Sequence, residues 1–276
     1  MMPQHMLHLG HARVAALNLG TIAADLAEWL GVPRAEWGVS TPLFARLQPV
    51  PVQAALISVP GAAILVDACD PADLATLEPP PGYRPPPGLA DQLAALGLHP
   101  ADITHVVVTH LHADHYNGLV RAEGGAYAAL CPNARHLVGR ADWLAAQAAI
   151  ADPATLAHRA LAPIARAGLL ELVDGARDLG GGVSVLPAPG ETPGHQIVRL
   201  RAGGQSLFCL GDLYHHPLEV ERPEWLVNWA DPAATRASRA ALLPEILAGD
   251  ALVLATHIAG FGRLRQAGAR LRWVPA

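Results

Sequence analysis

Lysine is absent from the 276-residue sequence, and all 19 basic residues are arginines. These arginines form no basic run, and the formal net charge is −5. Because phosphate binding needs a clustered positive surface, the composition argues against nucleic acid as a partner. Charged residues make up only 16% of the chain and hydrophobic residues 51%, which allows a large buried core.

Cysteine is scarce as well. Cys69, Cys131 and Cys209 are isolated and odd in number, which argues against a disulfide framework and suits a reducing compartment. No run approaches eighteen uninterrupted apolar residues, so no membrane span is predicted. The N-terminal residues lack the charged and then apolar pattern of a secretory signal. We therefore expect a cytoplasmic protein without membrane association, folded as one domain over residues 1–276.

Short apolar segments bounded by turn residues predict strands at residues 53–56, 63–67, 103–109, 183–186, 196–201, 206–210 and 251–255. Helices are predicted at residues 91–96, 141–149, 154–167 and 232–247, the last with Asp231 as N-cap. The Pro-rich segment 79–88 is expected to be an extended loop, and residues 264–274 an edge hairpin around Gly268. Both halves run strands and then helix, which predicts an α/β protein with two packed sheets and helices outside.

The segment THLHADH, residues 109–115, lies at the end of a predicted buried strand. Imidazole and carboxylate groups are the usual protein ligands of divalent zinc, iron, manganese and cobalt. His110 and His112 are two residues apart in a chain leaving a strand, so both can point to one side. Asp114 and His115 follow after the chain has turned and can reach a neighbouring position. The segment therefore predicts ligands for two adjacent ions.

Three later residues have a similar context. His195 lies in a turn between two predicted strands, Asp212 directly follows strand 206–210, and His257 directly follows strand 251–255. Because loops at strand ends gather around a site, we expect these three to join it. A histidine without such context is more often a surface or core residue than a ligand. That interpretation is given to His5, His8, His11, His99, His136 and His158.

These motifs resemble the metallo-β-lactamase superfamily over most of the chain. The resemblance implies an αββα sandwich with two metal ions at one edge between the sheets. It implies that one ion binds His110, His112 and His195, that the second binds Asp114, His115 and His257, and that Asp212 bridges both. Zinc is the first expectation, with manganese, cobalt or iron as alternatives. Asp67, followed by Ala68 where that family has Thr, is expected to support the ligand loop.

Branches of the superfamily can be separated on single residues. True β-lactamases lack the bridging aspartate that Asp212 supplies, and di-iron oxygen reductases have glutamate in place of His112. The tRNA-processing nucleases add a basic arm, which this chain lacks. Residues 192–196, TPGHQ, resemble the turn of N-acyl-homoserine lactonases, and residues 211–215, GDLYH, resemble methyl parathion hydrolase.

The resemblance implies a hydrolase acting on a small lactone or other carboxylic ester with a hydroxide shared by two ions. Asp114 is implied to bind metal and also to accept and return a proton. Lactonases of this family carry a tyrosine three residues after the bridging aspartate. His215 has that position here and Tyr214 is one residue earlier, so either side chain is a candidate to contact the substrate.

Several alternatives stay open at this point. The same site is suited to phosphotriester hydrolysis, and a single iron on His110, His112 and His195 would suit a sulfur dioxygenase. A non-catalytic scaffold role is disfavoured because all seven ligand positions are filled. A homodimer is possible. The aromatic residues that are interpreted first as core and second as pocket lining are Trp29, Trp37, Phe44, Trp225 and Trp229.

Overall fold

The computed structural model describes residues 5–70, 84–268 and 270–276. Within them the chain forms two seven-stranded sheets and a two-stranded hairpin. The first sheet contains β1 His5–Leu9, β2 Ala12–Ala24, β3 Gln48–Val59, β4 Ala62–Val66, β5 His105–Val107, β8 Arg135–Gly139 and β9 Leu170–Val173. The hairpin consists of β6 Val120–Glu123 and β7 Ala126–Ala129. The second sheet contains β10 Arg177–Gly180, β11 Val183–Pro187, β12 Gln196–Ala202, β13 Gln205–Cys209, β14 Leu252–Ala255, β15 Ile258–Ala267 and β16 Arg270–Pro275.

The described α-helices are Leu26–Trp29, Thr41–Phe44, Leu89–Ala95, Ala113–Tyr116, Arg140–Ala145, Gln147–Ala151, Leu156–Arg166, Leu218–Glu221 and Pro232–Ala248. The last begins as predicted, because the Asp231 carboxylate accepts hydrogen bonds from the amides of Ala233 and Ala234. None of these helices combines the length and the apolar character needed to cross a membrane.

Each sheet contains both antiparallel and parallel pairs of strands. The first sheet runs β1-β2-β3-β4-β5-β8-β9 and is parallel from β4 onward, whereas the second runs β10 to β16 in order and is parallel only between β13 and β14. The carboxyl ends of parallel neighbours meet at one edge of a sheet. The chain therefore leaves β4, β5, β13 and β14 at edges where loops can share a site.

Three apolar layers hold the elements together. The layer between the sheets contains side chains from both, such as Ile57, Val107 and Val198. A second layer lies between the first sheet and its helices, and a third lies between the second sheet and the Pro232–Ala248 helix. This is the predicted αββα sandwich.

The secondary structure departs from prediction in several places, and further elements such as β1, β8 and the Leu218–Glu221 helix were not predicted. The strand predicted at 103–109 is shorter, because the Thr109 amide donates to the Asp67 carboxylate instead of to a neighbouring strand. The helix predicted at 141–149 is two short helices. β2 was not predicted, because its side chains are buried almost throughout and show no alternation. Of the loop predicted at 79–88, residues 79–83 lie outside the described residues, and residues 84–88 have neither helix nor strand.

Candidate metal centre

The predicted ligands gather at one edge of the molecule, where strands of both sheets end. Residues 110–115 follow β5 of the first sheet, whereas Asp212 follows β13 and His257 follows β14 of the second. A backbone hydrogen bond joins the sheets here, since the Gln196 amide donates to the Thr109 carbonyl at 2.8 Å. Residues far apart in the chain are thereby brought to one place.

Asp67 supports the ligand loop from the buried side. Its φ is 64°, a left-handed conformation that costs free energy for a residue with a side chain. Its carboxylate accepts hydrogen bonds from the Thr109 amide at 2.7 Å and from the Thr109 hydroxyl at 2.9 Å. It also lies 2.9 Å from His115 Nδ1. These contacts agree with the interpretation of Asp67 as a support and not as a ligand.

Three buried imidazoles have an oxygen acceptor at Nδ1. The pairs are His115 with the Asp67 carboxylate at 2.9 Å, His195 with the Ala188 carbonyl at 3.0 Å, and His257 with the Pro51 carbonyl at 2.9 Å. Because these oxygens accept and do not donate, Nδ1 carries the proton in the neutral ring. Nε2 then carries no proton, as is required of a histidine nitrogen that binds a metal.

Asp212 lies at the centre of the cluster. Its Oδ2 is close to an imidazole nitrogen of four histidines: His110 at 3.7 Å, His115 at 3.2 Å, His215 at 3.3 Å and His257 at 3.2 Å. The preceding residue, Gly211, has φ 54°, and a Cβ there would lie 2.8 Å from His195 Nε2. A glycine at this position therefore lets the Asp212 backbone approach the histidines closely.

The side chains form two groups of candidate metal ligands, and within each group the ligand atoms lie within 4.8 Å of one another. The first group is His110, His112, Glu191 and Asp212, and the second group is Asp114, His115 and His257. Two atoms bonded to one ion at about 2.0–2.2 Å are at most about 4.4 Å apart. The distances from His110 Nε2 to His112 Nδ1, 2.9 Å, and from Asp114 Oδ2 to His257 Nε2, 3.4 Å, meet this limit.

His195 borders the first group without belonging to it. Its ring centroid is 5.2 Å from that of His110, and its Nε2 accepts a hydrogen bond from the Asp212 amide at 3.2 Å. The structure thus brings His195 to the cluster, while its role as a metal ligand stays a prediction.

The chemistry of these groups fits bound cations. In neutral rings the lone pairs of His110 Nε2 and His112 Nδ1, 2.9 Å apart, would repel each other unless a cation or proton binds them. Among the described residues, Asp212 Oδ1, Glu191 Oε2 and His115 Nε2 are buried without a hydrogen-bond partner. Leaving such an atom unsatisfied costs about 1–3 kcal/mol. A pair of divalent ions would satisfy nitrogen and oxygen atoms of this kind.

Burial and charge act in opposite directions on the pKa values of the cluster. Burial lowers the pKa of His110 well below its usual value. For three other histidines burial is outweighed by neighbouring carboxylates, which raise the pKa of His115, His215 and His257. Burial raises the pKa of Asp212, but the surrounding histidines outweigh it and hold that pKa well below its usual range. The cluster therefore keeps its central carboxylate ionised, as metal binding requires.

A cavity of about 460 Å³ opens onto the cluster. Its apolar wall consists of Ile22, Ala23, Trp29 and Trp229, and its polar floor of His112, Asp114, Glu191, Asp212, His215 and His257. This volume is within the range of small-molecule sites, about 300–1,000 Å³. Of the five aromatic residues considered from the sequence, Trp29 and Trp229 line the cavity, whereas Trp37, Phe44 and Trp225 pack against one another.

The two candidate substrate contacts lie on opposite sides of the chain. His215 lines the cavity, and its Nε2 is 3.5 Å from Glu191 Oε1. The Tyr214 ring instead lies 4.0 Å from the Arg239 guanidinium and lines a separate cavity of about 490 Å³. The two neighbouring side chains therefore line different cavities, and only His215 faces the cluster. The structure thus does not support Tyr214 as a substrate contact and leaves His215 as the candidate.

Glu219 holds the backbone of His215 and His216 in place. It is buried, and its Oε2 accepts hydrogen bonds from the amides of His215 at 2.5 Å and His216 at 3.1 Å. Its Oε1 accepts a hydrogen bond from Arg239 at 2.6 Å. Burial raises the pKa of Glu219, but Arg239 and His215 outweigh it and bring the pKa to about 2. Glu219 therefore remains charged and holds the segment in place.

Besides Glu219, sequence reasoning missed two further buried acids. Glu191 belongs to the same turn as His195, and its Oε1 lies 3.2 Å from His112 Nδ1 and 2.5 Å from Trp229 Nε1. The signal was its position in a turn already chosen for His195.

The second missed acid is Asp142, which accepts hydrogen bonds from the Gly194 amide and the Thr192 hydroxyl, both at 2.6 Å. It also accepts one from the Leu111 amide at 3.3 Å, so it ties the turn of His195 to the 109–115 loop. No sequence signal marks it, because an acid in the first turn of a helix is usually solvated.

Comparisons with known proteins agree with this geometry. The family model described as the metallo-beta-lactamase superfamily matches residues 47–257. The N-acyl homoserine lactonase AttM of Agrobacterium fabrum is 31% identical over 163 residues, and the protein of that name from Azorhizobium caulinodans is 31% identical over 166. These matches cover 52% and 55% of this chain, and the chain spans only 55% and 57% of those relatives.

Solved structures share the fold over nearly the whole chain. A hydrolase of the beta lactamase superfamily, AbOPH, superimposes with a TM-score of 0.81 at 20% identity, covering 100% of this chain and 98% of that one. AidC, a dizinc quorum-quenching lactonase, superimposes with a TM-score of 0.76 at 20% identity, covering 99% and 97%. At such identities the likeness concerns the fold.

Proposed function

The chain belongs to the metallo-beta-lactamase superfamily, and from that premise we propose that it is a metal-dependent hydrolase of small lactones or related carboxylic esters. The observation that carries the proposal is the convergence of two ligand groups on Asp212 at the floor of a cavity of small-molecule size. Relatives that carry the name N-acyl homoserine lactonase support the lactone as the substrate class.

The two groups would hold two divalent ions, with Asp212 between them. Two such ions supply an activated water at neutral pH and polarise the substrate oxygen. His110, His112 and His195 would hold one ion, and Asp114, His115 and His257 the other. Asp114 Oδ2 lies 3.4 Å from His257 Nε2, so its Oδ1 would take the proton from water and return it to the alkoxide oxygen released when the ester C–O bond breaks.

His215 has the position of a donor to the substrate. Its ring stacks on that of His257 with centroids 5.5 Å apart, and it has edge contacts with Trp29 and Trp229. An imidazole N–H held this way can donate to the carbonyl oxygen as that atom gains negative charge. The two indoles leave an apolar wall for the acyl part of the substrate.

The test is hydrolysis by protein of measured metal content. We expect two ions per chain, turnover of γ-lactones and aryl esters, and loss of turnover when a strong chelator removes the ions. The chelator should also lower thermal stability, because ions that bind only the folded state stabilise it.

The comparison substrates are a phosphotriester and a persulfide. Protein with two ions that hydrolyses a phosphotriester but no lactone or ester would overturn the proposed substrate class. One iron per chain with oxygen uptake on persulfide would overturn the hydrolase itself and support the dioxygenase.

A further inference from the structure

Glu191 is a buried carboxylate whose Oε1 contacts Trp229, His112 and His215. It is 5% exposed, although it is a carboxylate in the wall of an open cavity. Its Oε2 has no hydrogen-bond partner among the described residues. A buried charged group without full pairing is costly, so some further partner is expected for it.

The direction of the carboxylate indicates that partner. Glu191 Oε1 lies 3.2 Å from His112 Nδ1, which is the nitrogen that faces His110 Nε2 at 2.9 Å. The carboxylate thus points to the side of the imidazole where a metal would bind. Glu191 belongs to the first group, in which all the ligand atoms lie within 4.8 Å of one another.

We propose that Glu191 is a carboxylate ligand of the metal ion held by the first group. The inference rests on the proposal that ions occupy the two groups, but it does not depend on the substrate. Glu191 would add an anionic oxygen to a set of ligands that otherwise consists of imidazoles and the bridging Asp212. The first ion would then have a higher coordination number and more negative ligand charge than the three predicted histidines and Asp212 would give it.

Trp229 is the residue that positions this ligand. Its Nε1 donates to Glu191 Oε1 at 2.5 Å, and its ring is 5.7 Å from the His215 ring. A ligating carboxylate is commonly held by such a hydrogen bond from outside the coordination sphere. The same indole is 44% exposed and forms part of the cavity wall. One side chain therefore both holds the proposed metal ligand and lines the cavity proposed for the substrate.

Cobalt titration of the full-length protein tests the ligand role without reference to activity. The first and second affinities are measured by competition with a chelating dye, and the intensity of the visible absorption bands reports the coordination number. Glu191→Gln keeps the shape and removes the charge, whereas Glu191→Asp keeps the charge and withdraws the oxygen by one methylene. Trp229→Phe is the control, because it removes the supporting hydrogen bond and retains the carboxylate itself.

If Glu191 is a ligand, both Glu191 variants should weaken one cobalt site by more than about 100-fold, beyond the loss of a partner that only supports a ligand. Their visible bands should also gain intensity as the coordination number falls. Trp229→Phe removes only a supporting partner, so it should weaken that site by about 10- to 100-fold with an unchanged spectrum. Wild-type spectrum and affinities in Glu191→Gln would overturn the inference, even if its activity were lost.

A crystal structure of the dicobalt wild-type protein is a second measurement, in case the variants do not fold. The inference requires a Glu191 oxygen within about 2.0–2.2 Å of one cobalt ion. A Glu191 carboxylate beyond bonding distance of both ions would contradict it. A protein that needs Glu191 for its first ion but hydrolyses no lactone would instead overturn the proposed function alone.

Discussion

The two ligand groups are held in place in different ways. In the second group, His115 and His257 each have a protein oxygen at Nδ1, supplied by Asp67 and by the Pro51 carbonyl. In the first group, the His112 side chain is 40% exposed, and among the described residues its Nδ1 contacts only other members of the group, His110 and Glu191. In the first group the Thr109 hydroxyl lies 3.1 Å from His110 Nδ1, so His110 is also held by the fold. The fold thus orients both histidines of the second group, whereas His112 of the first group depends more on the ion that it binds. Predictions that separate the groups therefore test this difference.

The largest effect is expected where the groups meet. Asp212→Ala removes the oxygen that lies between four histidines, so one ion should be lost and kcat should fall by 100-fold or more, about the size of a lost transition-state contact. Metal analysis and steady-state kinetics on a lactone measure both. Near-normal turnover with two ions retained would show that the groups are independent.

His215→Gln should be next in size. It removes an imidazole from the cavity floor but touches no residue through which the fold holds the second group. A lost donor to the developing oxyanion costs about 2.7–4 kcal/mol, or roughly 100- to 1,000-fold in kcat. Both ions should stay bound, which the same metal analysis checks. Tyr214→Phe is the matched control, because that ring faces Arg239, and its kcat should stay within about twofold of wild type.

Asp67→Asn tests how the second group is oriented. The amide can still accept from Thr109, but it no longer offers a charged acceptor to His115 Nδ1. Loss of such a partner typically weakens metal binding by about 10- to 100-fold, and saturating metal should restore most of kcat. Equal weakening of both ions in a two-site titration would contradict the proposed difference between the groups.

Trp29→Leu should have the smallest effect. Trp29 lines the cavity and meets His215 and His257 only by ring contacts, so both ions should bind normally. Losing part of the apolar wall should raise KM about fivefold for lactones with long acyl chains, near 1 kcal/mol. Short-chain lactones serve as the internal control. An equal change of KM for both chain lengths would show that the Trp29 indole does not bind the acyl chain.

Sequence reasoning identified the parts of the site whose ligand-type residues lie close together in the chain or directly follow a predicted strand. Residues 110–115 combine a strand end with four ligand-type side chains, and Asp212 and His257 each follow a strand end. The αββα order followed from strands and helices repeated in two halves. Confinement to one domain and a homodimer stay predictions.

What sequence reasoning missed depends on contacts between distant segments. Glu191 meets His112 only because the turn of His195 packs against the 109–115 loop, and Asp142 ties those two segments together. The choice between Tyr214 and His215 depended on the register of two residues after a strand. β2 was hidden by burial on both faces, which removes the alternation that marks a strand.

The origin of the ligands in both sheets has a consequence for folding. His110, His112, Asp114 and His115 follow the first sheet, whereas Asp212 and His257 follow strands of the second. Neither sheet alone carries a complete group around Asp212, so the ions gain their full set of partners only after the two sheets have docked. Such long-range contacts form slowly. During refolding, the appearance of the tight metal signal would therefore time the docking step, and a chelator would act on the last stage of assembly, leaving sheet formation unchanged.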